Sequence, residues 1–151
     1  MIFQTVGDGT NEMAFRSVRN STTRTSTVTI AAGTPLVLET NTASNNGGWV
    51  RQAATSTDIT NNLYVGNCHA ALSPDSVRLA QCYGVDSDAV VATGGASVGV
   101  SLIPNVATLV TVGNSTAGNA GVVGGGSGVL AVLVAPSGAA QAATSVFIRA
   151  L

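Results

Sequence analysis

One histidine, two cysteines and a pair of close aspartates are the residues of this chain whose types could do chemistry. His69 is the only histidine, so a metal site built on two or three imidazoles is excluded. A Ser-His-Asp arrangement would have to draw on His69, a serine and either Asp75 or Asp86. No Gly-x-Ser-x-Gly elbow accompanies them, and a lone strand histidine is ordinarily structural or a surface group. Cys68 and Cys82 lie symmetrically about Asp75 in a Ser73-Pro74-Asp75-Ser76 turn, so a five-residue loop would set them opposite one another. A cross-strand disulfide is then conceivable if the Cβ atoms come close enough. The first twelve residues, MIFQTVGDGTNE, show no basic segment followed by an apolar core, so a reducing compartment and two packed thiols are the expectation. Zinc would need two further soft ligands. Asp86 and Asp88, two residues apart on an extended stretch, could hold calcium or act as a hydrolase pair. As the polar edge of a turn over 84–88 they need neither role. No catalytic residue, cofactor or metal is therefore expected.

The basic residues narrow the field further. All six are arginine, at 16, 19, 24, 51, 78 and 149, and the chain has no lysine. Walker A loops, Schiff-base chemistry and protein-kinase chemistry all require a lysine, so none can be run by these residues. Arginine without lysine is the bias of protein interfaces, where a weakly hydrated guanidinium makes forked hydrogen bonds. Lineage bias would produce the same count. A formal net charge of −1 gives no global attraction to nucleic acid. The cluster Arg16, Arg19 and Arg24 suits an acidic protein surface better than phosphate.

The elements that would position these residues read as short strands. A chain of 151 residues fits one domain. Only 9% of it is charged, against about 25% in an ordinary globular domain. Mean hydropathy is +0.38, yet the longest apolar run, 129–135, is far below the roughly 18 residues of a membrane span. Such a chain is expected to bury surface against other chains, itself included. Residues 1–27, with a turn over 7–11 and the polar run STTRTST, read as an extended arm, with at most a helical turn over 11–18. Residues 28–151 read as a β domain. Ten short apolar segments with Gly, Asn and Pro between them, including strands either side of the 73–76 turn and a third following, predict an all-β barrel or sandwich with minor helix near 139–143. A break is expected at Pro104-Asn105. The run 113–128, GNSTAGNAGVVGGGSG, could cradle phosphate, but a strand pattern follows it where a dinucleotide site would open a helix. It reads as a surface loop. Trp49, beside Gly47-Gly48, is the one aromatic residue placed as an exposed platform.

The segments TPLVLET at 34–40 and Trp49-Val50 resemble the start of the β domain of lambda-type head decoration proteins. Tyr64-Val65-Gly66, the run LAQCYGV at 79–85, the pattern Gly99-x-x-Leu102-Ile103-Pro104 and the terminal FIRAL are similar to strands of the same tailed-phage capsid cement family. The likeness spans about 28–151 and does not extend to the 113–128 run. It implies a small all-β, β-tulip-like protein, commonly a homotrimer. Such a protein, made in the host cytoplasm, sits on the outer surface of the virion head and clamps neighbouring copies of the major capsid protein. An N-terminal arm lies along the lattice, which makes Phe3, Phe15, Arg16, Arg19 and Arg24 the capsid-contact candidates. No nucleic acid, membrane or enzymatic activity is implied. A tail, fibre or spike component would share this composition. A lectin-like or hydrolase module would instead need a concave polar pocket around Trp49 or His69.

Overall fold

The computed structural model describes residues 3–6, 12–20, 29–39, 48–52, 64–92, 97–105, 108–111, 131–136, 138 and 142–150. Among these residues the chain is all-β, with no helix. Ten strands follow one another: β1 (Phe3–Val6), β2 (Met13–Asn20), β3 (Pro35–Leu38), β4 (Trp49–Gln52), β5 (Tyr64–Cys68), β6 (Val77–Val91), β7 (Ser101–Asn105), β8 (Thr108–Thr111), β9 (Ala131–Leu133) and β10 (Ala142–Arg149). They form one sheet in the order β1-β2-β4-β3-β5-β6-β10-β9-β7-β8. Two further pairings, β2 with β6 and β6 with β8, close the ladder upon itself twice. One circuit runs β2-β4-β3-β5-β6 and the other β6-β10-β9-β7-β8.

β6 belongs to both circuits because it is long and changes its inward face. Its first half lies against β2 from Arg19↔Val77 to Ala14↔Tyr83, and its second half against β10 from Arg149↔Tyr83 to Ala142↔Val91. Val146 lies opposite Asp86 and Thr144 opposite Ala89, two steps on β10 against three on β6. Past this bulge the core positions of β6 are the odd-numbered Ala89 and Val91, whereas before it Ala80, Cys82 and Asp86 are buried together with Gln81.

Each circuit surrounds its own core. The first holds Val18, Ile30, Leu36, Val50, Val65, Cys68, Leu72 and Ala80. The second holds Tyr64, Ala89, Val91, Leu102, Leu109, Ala131, Leu133, Val146 and Ile148. Two glycines allow close backbone crossings. A Cβ on Gly66 (φ +122°) would come within 2.1 Å of the Gln81 carbonyl oxygen, and one on Gly33 (φ +75°) within 1.8 Å of that of Asp88.

Several expectations change. The strands expected after the 73–76 turn are one strand of 15 residues, because the bulge and Gly84 (φ +99°) absorb the irregularity that reads as a break. Residues 13–20, expected within an arm or a helical turn, are a strand between β6 on one side and β1 and β4 on the other. Alternation in MAFRSVRN buries Phe15 on one face and Val18 on the other, a two-sided burial that a search for one apolar face misses. Pro104 lies within β7, opposite Leu109. Among the described residues β9 pairs with β7 only at 101–102, so the missing N–H of the proline interrupts no described ladder on that side. The 7–11 turn, Arg24 and the rest of 21–28, the 113–128 run and residues 139–141 lie outside the described residues.

Candidate interaction surfaces

Residues directly opposite in a ladder project to the same face. β4 places Trp49 opposite Arg19, and β6 places Val77 opposite Arg19 and Leu79 opposite Ser17. The outer face of β4, β2 and β6 therefore carries the row Trp49–Arg19–Val77, with Ser17 and Leu79 one step along. The Arg19 guanidinium carbon stands 4.4 Å from the centre of the Trp49 ring, a cation–π contact. Its Nη2 donates to Asp75 Oδ1 at 3.4 Å, with both side chains about half exposed. Asp75 adopts φ +57° at the tip of the turn, which an aspartate tolerates and which brings its carboxylate over β2. A shallow concavity of about 240 Å³ lies here, lined by Ser17, Val18, Arg19, Gly48, Trp49 and Val77. Val77 is 52% exposed and Leu79 37%. Further along the same face Phe15 is buried with its ring edge-on to His69, centroids 5.0 Å apart.

A second exposed apolar pair belongs to the other circuit. Val98 (58% exposed) and Val134 (43%) flank the hydrogen bond from Gly99 N–H to the Leu133 carbonyl.

The interior holds a polar network in which Asp86, singled out above for other chemistry, meets partners that were not. The Tyr64 hydroxyl donates to Asn67 Oδ1 at 2.8 Å, Asn67 Nδ2 donates to Asp86 Oδ2 at 2.8 Å, and the Asp88 amide donates to Asp86 Oδ1 at 3.0 Å. This chain ties β5 to the bulge of β6. Burial, with the Asp86 carboxylate nearby, pushes the Tyr64 hydroxyl well above its ordinary range. Arg51 and Glu39 form a buried ion pair, Nε to Oε2 3.4 Å. The available signal was a single charge directly following an apolar run in PLVLE and WVR.

Asp86 and Asp88 share no pocket: Asp86 is buried in that network and Asp88 is exposed. Among the described residues no group of three or more His, Cys, Asp or Glu is arranged to hold a metal. Both cysteines are free thiols. Cys68 lies opposite Ala80, not Cys82, because residues 69–76 make a wider excursion in which Leu72 bridges to Ile30. The Cys68 thiol donates to the Ala70 carbonyl at 2.8 Å and the Cys82 thiol to that of Ala14 at 3.2 Å. Burial pushes the Cys68 thiol up to about 11 and raises Cys82 as well. Neither is disposed to act as a nucleophile at neutral pH.

Of the expected capsid-contact residues, Arg19 alone is both described and exposed. Phe15 and Arg16 are buried, so Phe15 is not presented as an anchor in this fold. Phe3 begins β1.

This geometry defines an all-β protein that, among the described residues, presents exposed apolar and cationic groups on the outer faces of its sheet. The chain matches no model of a known protein family, and no curated protein matches it.

Proposed function

We propose that this chain is a virion structural protein, a head decoration or cement protein of the tailed-phage type. It binds the outer surface of the assembled head and clamps neighbouring major capsid subunits. On this reading it is made in the host cytoplasm and works by binding, not catalysis. It associates with itself as a homotrimer, and its two pairing circuits are the two lobes of a small β-tulip-like barrel. The observation that carries the reading is the pair of separate exposed apolar surfaces, Val77 with Leu79 and Val98 with Val134, one on each circuit of a charge-poor chain. A cement protein needs at least two contacts, one with its own copies and one with the shell. Binding only the expanded shell stabilises that state by mass action, repeated over many copies.

The test is co-sedimentation of the purified chain with empty, expanded heads, followed by heating of decorated and bare heads. The chain should pellet with the heads at a fixed stoichiometry and raise the temperature at which they open. Pelleting no better than an unrelated protein would remove the reading. Labelling of tails or fibres instead of heads would move the chain to another structural position on the particle.

A further inference from the structure

The outer face of β4, β2 and β6 carries one exposed cation and one exposed anion side by side, with an apolar strip next to them. Arg19 and Asp75 meet at 3.4 Å through a single nitrogen–oxygen contact, and both are about half exposed. An exposed pair of this kind contributes little within one chain. The Arg19 guanidinium is already held in position by the Trp49 ring at 4.4 Å, so less freedom remains to be lost on binding. Val77 and Leu79 present their side chains to water on the same face. Arg78 is exposed between them, but alternation turns it to the opposite face of β6, where it donates to the Val77 carbonyl. Among the described residues the charges that face outward here therefore cancel.

A surface with one charge of each sign and an apolar strip is complementary to itself. We propose that its occupant is a second copy of this chain, with each copy's Arg19 taking the neighbouring copy's Asp75. Val77 and Leu79 close over one another and the Trp49 edge is buried between them. The exchanged ion pairs leave water and are shielded by the valine and leucine, where a charge pair is stronger than at a free surface. A reciprocal contact of this form, the same patch on both partners, makes a two-fold pair, so this face joins two copies and a homotrimer would be closed through another surface. An acidic or basic foreign partner would satisfy only one of the two charges. The inference deepens the decoration reading by naming the face at which copies meet, and its test needs no heads.

The experiment uses the full chain and four variants: Arg19→Asp, Asp75→Arg, both in one chain, and Val77→Glu. Circular dichroism melting establishes which are folded, and light scattering over a concentration series reads the mass. The wild type should give a multiple of 14.9 kDa, with Trp49, the only tryptophan, moving to a bluer emission as it associates. Each single charge reversal should weaken association at least about tenfold, since like charges then face each other. Mixing the two reversed variants should restore it, because each supplies the charge the other lacks, and the double variant should associate alone. The restored species should contain one copy of each variant, as a two-fold pair does. If Asp75→Arg does not fold at its positive φ, Val77→Glu carries the test and should be monomeric while folded. A wild type that stays monomeric, folded reversals that associate as the wild type does, or a mixture that fails to recover would overturn the proposal. Association through this face without head binding would keep this inference and remove the decoration reading. Head binding by a monomer would do the reverse.

Discussion

Asn67 shows how a single polar side chain ties two neighbouring strands, β5 and β6, together. It accepts from Tyr64 and donates to Asp86, and all three are buried. Replacing it with alanine leaves a phenol and a carboxylate short of a partner in the interior. A buried group left unsatisfied costs about 1–3 kcal/mol, so Asn67→Ala should lower the urea midpoint by an amount in that range or above it. A variant as stable as the wild type would mean that water replaces the amide. Cys68 gives a pH signature of definite sign. Its thiol is raised from 9.0 to about 11 in the folded protein, so the unfolded chain releases this proton first as pH rises. The contribution is fully present below pH 9.0 and is lost progressively towards pH 11, so stability falls over that window. Urea unfolding at several pH values from 8 upward should show the decline, and Cys68→Ala should make it shallower. The same burial predicts that alkylation under native, non-reducing conditions is slow at neutral pH and that both sulfurs are recovered unlinked.

Among the elements, β2 departs most from what its residues suggest in isolation. The segment expected to be an arm supplies Val18 to the first core, and its ladder with β6 closes the first circuit. The Asn20 side chain also donates to the Leu72 carbonyl at 3.1 Å, tying β2 to the loop before β6. A fragment comprising residues 28–151 therefore lacks one wall of its first core. It should lose the cooperative melting of the whole chain in circular dichroism, with exposed apolar surface detectable by dye binding. A fragment that melts as sharply as the full chain would return residues 1–27 to the status of an arm. β6 makes the complementary point: along its 15 residues the register slips twice, against β2 between Gln81 and Tyr83 and against β10 between Asp86 and Ala89.

At the scale of the whole molecule, two cores share one strand and one polar network. Leu36 is fully buried in the first core and Leu102 in the second. Truncating either to alanine should cost about 2–5 kcal/mol. Because β6 and the Tyr64–Asn67–Asp86 chain bridge the circuits, both substitutions should lower a single shared transition. Calorimetry resolving two transitions, each moved by only one of the substitutions, would show that the circuits fold as separate units.

The amino-acid sequence by itself determined the class: low charge, β-branched and apolar segments of four to eight residues, and glycine, proline and asparagine between them leave no route to a helical protein. It also determined which chemistry these residues cannot run, since a missing lysine or second histidine needs no coordinates. Two free thiols could likewise be read from residue types, whereas Trp49, expected as an exposed platform, is half-buried. Pairing was different. Whether 13–20 hangs free or closes a circuit depends on which distant strand offers a matching edge, and β2 finds it at β6, more than fifty residues away. The register that sets Cys68 against Ala80 depends on the path of the intervening loop, which Leu72 settles by bridging to Ile30. The meeting of Arg19, Trp49 and Asp75 joins a strand, a second strand and a turn whose spacing carries no local signal. Local sequence fixes the conformations that each segment can adopt. Only the closing of the two circuits, with two cores to fill and buried polar groups to satisfy, selects which side chains become neighbours.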